Sequence, residues 1–206
     1  MRFKTTKQHT EWWAKRKIDW NAHYLATANH PHRDFITAIL AKMKWQSLLE
    51  VGCGPGANLV NIISKLKNKQ IGGIDVSADA IALAKETFQG GYFKVCPVED
   101  IMMSDNSVDV VLSDMTLIYT GKIDQAIKEI KRIARLYVVL CELHEENFLK
   151  SILFRIKTGY YAHNYRKLLA KHGFEDIMLV KLPLKAWDGE PQKTRGYIII
   201  AKVPTR

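Results

Sequence analysis

An α/β fold built on a largely parallel sheet follows from three features of the 206-residue chain. Beyond residue 47, short apolar runs alternate with amphipathic stretches. The runs are rich in β-branched residues and scarcely interrupted by polar ones, as strands covered on both faces are. The last two runs have no helical pattern between them, so they should pair antiparallel.

From the N-terminus, His9 to Trp45 reads as helix and loop, dense in aromatics: Trp12, Trp13, Trp20, Tyr24, Phe35 and Trp45. These helices should pack over the top or side of the sheet. The predicted strands are Ser47–Val51, Gln70–Ile74, Tyr92–Cys96, Val108–Ser113, Leu136–Leu143, Ile177–Leu184 and Gly196–Val203. Between them Leu59, Ile62, Ile63 and Leu66 recur at i, i+3, i+4, i+7, and Ile123, Ile127, Ile130 and Ala134 form a second helical stripe. Asn164 to His172 continues the alternation, with Gly173 as its stop. Lys185–Arg195, holding Gly189 and Pro191, is a polar connection without helical period.

Composition narrows the class. Hydrophobic residues make up 47% and charged residues 25%, so the chain is globular and large enough to bury a core without metal or disulfide staples. Cys53, Cys96 and Cys141 are odd in number and show no CxxC or Cys/His ligand spacing, so no metal site is expected and the thiols read as buried and reduced. No signal core and no run approaching the ~20 apolar residues of a membrane span are present. A cytoplasmic protein without a membrane partner is therefore expected. The net charge of +10 is uneven: residues 1–50 carry +5, 51–100 carry 0, 101–150 carry −2 and 151–206 carry +7. Basic ends around a neutral middle favour an anionic small molecule or an acidic partner, with nucleic acid as the alternative.

The most specific feature is LLEVGCGPGANL at residues 48–59, where an apolar strand runs into clustered glycines and then an amphipathic helix. Such a turn lets a ligand approach the backbone at a helix N-terminus. Two ligand classes fit. Gly52, Gly54 and Ala57 satisfy GxGxxG/A, and Asp75 lies near the acidic position expected of a dinucleotide enzyme. Glu50, however, would repel a pyrophosphate and is better placed for the ammonium group of S-adenosylmethionine (SAM).

Together, LLEVGCGPGANL, GGIDVSADAIALAK, VEDIMMSDNSVDVVLSD and the terminal GFEDIMLVKLP…GYIIIAKV resemble a class I SAM-dependent methyltransferase, closest to the broad small-molecule group called type 11. The resemblance spans about residues 47–203. It implies a Rossmann-like seven-stranded sheet of order 3-2-1-4-5-7-6, mostly parallel with the last strand antiparallel, and helices on both faces. An N-terminal helical lid over residues 1–46 would precede the SAM-binding domain at 47–206. Carried over, Gly52, Cys53 and Gly54 would line the methionine part of SAM, with Glu50 beneath. Asp75 would hold the ribose hydroxyls, Val76 the adenine face, and Glu99, Asp100 and Ile101 the adenine edge. Pro97 departs from the family's usual Asp, so the adenine amino group falls to Glu99, Asp100 or a carbonyl. Ser113 and Asp114 would stand near the cofactor amino group, Asn58 near its carboxylate, and Tyr24 and Arg33 would approach from the lid.

The implied reaction is methyl transfer to an O or N of a small-molecule acceptor by a monomer or homodimer. Alternatives are methylation of RNA or a protein through the basic ends, and a non-catalytic SAM-binding subunit. An NPPY-like motif is absent, which removes some nucleic-acid subclasses only. His144, after the fifth strand, is the general-base candidate, with Tyr24 beside it as a second. Each has a plainer reading, as a helix cap or a packing residue. Met102, Met103 and Met115 read as core, and Ser77 as the cap of the helix after Asp75.

Overall fold

The computed structural model describes residues 5–187 and 189–204. In chain order the elements are α1 Thr6–Lys15, α2 Trp20–Thr27, α3 His32–Leu40, β1 Ser47–Val51, α4 Ala57–Lys65, β2 Gln70–Asp75, α5 Ala78–Thr87, β3 Tyr92–Val95 and β4 Val108–Asp114. A 3-10 turn at Leu117–Tyr119 is followed by α6 Ile123–Ile133, β5 Ala134–Leu143, α7 Phe148–Thr158, α8 Tyr165–Lys171, β6 Glu175–Lys181, α9 Gln192–Arg195 and β7 Gly196–Lys202. The strands form a sheet of order β3-β2-β1-β4-β5-β7-β6. β1 to β5 pair in parallel, and β7 runs antiparallel to both β5 and β6. This is the expected Rossmann-like order, including the closing hairpin.

The reason is visible in burial. Every residue of β1 is buried, as are Val108–Ser113 of β4, so these central strands tolerate no alternation. The edge strands β3 and β6 expose much of their length. One face of the sheet is covered by α6 and α8, whose Ile127, Ile130 and Leu169 pack with Val111, Val138 and Ile199. The other is covered by α3, α4 and α5 through Ile36, Leu40, Leu59, Ile62 and Ile81. The caps follow sequence chemistry: Ser77 accepts from the Ala80 N–H at the start of α5, and Gly173, at φ +68°, ends α8.

Boundaries differ slightly from the sequence reading. β6 begins two residues earlier, and the connection to β7 contains the short α9. Residues 1–46 hold three helices. α3 is part of the core, while α1 rests on the 3-10 turn, where Thr6 accepts from the Gly121 N–H.

Candidate functional site

A cavity of about 400 Å³ opens at the carboxyl ends of β1, β2 and β4, between the sheet and α1–α3. Open parallel sheets bind ligands at this edge. Its floor is the glycine turn. Gly52, Gly54 and Gly56 all have positive φ, and the Gly52 and Cys53 N–H groups donate to the Ile74 carbonyl, tying the turn to β2. A Cβ on Gly52 would collide with the Thr116 side chain, so the turn and the loop after β4 touch where only glycine fits. Asp75 closes the turn from β2. One carboxylate oxygen accepts from the Gly54 N–H at 2.9 Å, the other from the Ser77 N–H at 2.9 Å.

A buried polar network forms one wall. Asn58, in the first turn of α4, donates to Glu50 Oε1 at 2.6 Å and to Asp114 Oδ2 at 2.9 Å. Arg33 donates to Asn58 Oδ1 and stands 3.5 Å from Asp114 Oδ2. His32 Nε2 meets the same Asp114 oxygen at 2.7 Å, and its Nδ1 is in hydrogen-bond contact with Nδ1 of His30. Trp187, from the β6–β7 connection, packs against both imidazoles at 4.5 Å between ring centroids.

The two carboxyl groups of this wall are driven in opposite directions. Burial pushes Glu50 up to about 8, against the hydrogen bond from Asn58. Burial acts on Asp114 too, but the charge and hydrogen bond of His32, with Arg33 and Asn58, hold it at about 2. Two carboxyl groups set apart in this way can serve one neutral and one ionised role. Glu50 Oε2 and Asp114 Oδ1 are buried and find no hydrogen-bond partner among the described residues. Unsatisfied acceptors in a cavity wall favour a ligand that brings donors.

The loop after β4 owes its shape to Glu142 of β5. Its Oε1 accepts from Ser113 Oγ at 2.7 Å and from the Thr116 and Leu117 N–H groups at 3.0 Å. Burial raises this carboxyl to about 7 despite those donors. Glu142 is absent from the sequence-based candidates. Its signal was there, a lone carboxylate inside the apolar run Val138–Leu143.

Of the residues singled out from sequence, Arg33, Glu50, Gly52, Cys53, Gly54, Asn58, Asp75, Val76, Glu99 and Asp114 all line the cavity. Ser113 stands one step behind the wall, bound to Glu142. Asp100 is exposed and outside the lining, and Ile101 is core, its N–H donating to Glu129 Oε2 at 2.9 Å. Tyr24 is half-buried on α2 and does not line the cavity. His144 is also outside it: its Nδ1 accepts from the Tyr165 N–H at 3.2 Å and burial pulls its pKa down. In their place the cavity presents His30, His32 and Trp187.

Comparison with known proteins agrees with this geometry. Residues 49–137 match the family described as a methyltransferase domain. No curated protein matches the sequence. Among solved structures, geranyl diphosphate C-methyltransferase from Streptomyces coelicolor, bound to Mg2+, geranyl-S-thiolodiphosphate and S-adenosyl-L-homocysteine, is 12% identical. The match covers 97% of this chain and 98% of that one, with a TM-score of 0.73. The [4+2]-cyclase SpnF is 18% identical over 100% of this chain and 99% of its own, with a TM-score of 0.72. A chain from the Haloferax volcanii complex of a methyltransferase activator with a methyltransferase is 18% identical over 91% and 95%, with a TM-score of 0.70. At these identities the likeness is one of fold, and that fold also carries a cyclase.

Proposed function

We propose that this chain, which has the class I methyltransferase fold and matches a methyltransferase domain over residues 49–137, transfers a methyl group from SAM to an O or N of a small-molecule acceptor. The observation that carries the reading is the pair of unpartnered buried oxygens, Glu50 Oε2 and Asp114 Oδ1, in a wall beside a glycine turn. A cationic ligand with N–H donors satisfies both, whereas a pyrophosphate would meet the ionised Asp114 with like charge. When bound, SAM supplies an electrophilic methyl group on a sulfonium.

The chain's own residues bind and orient. Asp75 accepts ribose hydroxyls, Arg33 and Asn58 take the amino-acid end, and Val76 and Glu99 flank the base. The N-terminal helices act as a cover, since α1, α2, the turn after α2 and the start of α3 contribute Trp13, Trp20, His30 and Arg33 to the cavity. Proton removal falls to the linked pair His30 and His32, which lines the cavity beside Asp114. The ionised Asp114 can only accept, so His32 carries its proton on Nε2. Nδ1 of His32 faces Nδ1 of His30, so the two imidazoles continue the line of contacts that starts at Asp114. Charge gained there is stabilised through His32 by Asp114. An amine acceptor needs this relay less than a hydroxyl does.

Isothermal titration tests the reading. S-adenosylhomocysteine should bind and NADH should not, and Asp75→Ala should weaken the former about tenfold or more, the worth of one to two hydrogen bonds to a charged group. Binding of NADH alone would replace the assignment with an oxidoreductase.

A further inference from the structure

One helix presents apolar side chains to solvent in a way that the reaction does not use. In α7, Phe148 is 75% exposed, Leu149 68% and Leu153 62%, with Ile152 and Ile156 also open. At about 100° per residue these five fall within an arc of about 140°. That arc lies opposite Phe154, the buried residue that packs with Ile118, Leu143 and Ala162, and Ser151 on the inner side donates to the Ala162 carbonyl at 2.8 Å. The apolar stripe therefore faces out, the reverse of an ordinary amphipathic surface helix.

Cations border it. Lys150 and Lys157 flank one edge of the arc and Arg155, packed over the Tyr161 ring, flanks the other. No acidic residue occurs within Phe148–Thr158, and residues 151–206 carry +7 of the chain's +10. An apolar face with basic rims on a short surface helix matches an anionic bilayer surface, whose headgroups meet the cations while the hydrocarbon takes the side chains. It fits a second copy poorly, because two such rims would oppose each other in like charge.

We propose that α7 docks this protein on membranes containing anionic phospholipid, as a helix lying in the interface. The sequence reading, which expects no membrane partner, considers only spanning segments. A surface helix needs no such run, and no described helix is long and apolar enough to cross. The inner side of α7 belongs to the same cluster as Met115 and Tyr119, both of which line the cavity, so docking would bring the cavity wall to the bilayer. The inference is independent of the reaction assigned above.

The test is co-sedimentation of the full chain with vesicles of phosphatidylcholine alone or mixed with phosphatidylserine, at low and at physiological salt. Binding to the mixed vesicles, weakening as salt rises, is expected. The double variant Leu149→Ser, Leu153→Ser should lose about tenfold or more in partitioning. Lys150→Gln with Lys157→Gln should lose about fivefold per lysine, and only on the anionic vesicles. Both variants change exposed side chains, so their melting temperatures should match the parent's. Equal binding to neutral vesicles would overturn the headgroup part. A dimer in light scattering that Leu149→Ser, Leu153→Ser abolishes would assign the face to a second copy. No retention on mixed vesicles at low salt would overturn docking and leave the face to an acidic protein.

Discussion

Glu50 and Asp114 differ less in burial than in neighbours, and this separates their chemistry. Asp114 has His32 and Arg33 against it, while among the described residues Glu50 has only the neutral amide of Asn58 in hydrogen-bond contact. Because the folded state holds Glu50 up to about 8, above its ordinary value of 4.5, it keeps a proton that the unfolded chain has given up. Stability from this group is thus lost as pH rises from about 5 to about 8. Glu50→Gln removes the penalty and keeps an oxygen for Asn58. Its melting temperature should gain on the parent across that window and show little gain near pH 5, and a pH-independent difference would contradict the assignment. The relay is testable without an acceptor. Histidine nitrogen NMR should show the His32 Nε2 resonance hydrogen-bonded to a carboxylate, with the signature lost in Asp114→Ala. A His32 Nε2 signal unchanged in Asp114→Ala would exclude Asp114 from the relay.

At the level of elements, the N-terminal helices are not one unit. α3 sends Ile36 and Leu40, both fully buried, into the core with Leu59 and Ile62. α1 and α2 bury little, His9 and Trp20 being their only buried described residues. Removing residues 1–28 should leave a folded protein with an open cavity and weaker S-adenosylhomocysteine binding. Removing 1–46 should unfold it, since losing two large core side chains costs on the order of 4–10 kcal/mol, comparable to the stability of a domain. Circular dichroism melts of the two truncations decide this, and a cooperative melt for the longer one would contradict a core role for α3. The strands were legible because periodicity and β-branching are local signals, and β1, β2 and β4 fall within a residue of their expected ends. α7 was not, because its wider apolar arc is turned outward, and periodicity cannot say which face is turned inward.

Across the whole molecule, charge and topology take on positions. The neutral middle of the sequence forms the sheet and the glycine turn, and the basic ends supply the cover and the outward face of α7. The closing hairpin, the glycine turn and the acids at 50 and 75 could be read from residues adjacent in the chain, because a strand–turn–helix unit carries its ligand groups at fixed offsets, while the sheet order and the place of Asp114 were implied by the resemblance. Contacts between distant residues could not. His30, His32, Asp114 and Trp187 meet across 157 positions of chain, and Glu142 shapes the loop at 113–117 from a neighbouring strand. Folding alone brings them together, because a side chain's partners and burial are set by packing between elements, and sequence spacing records only the order in which those elements arrive.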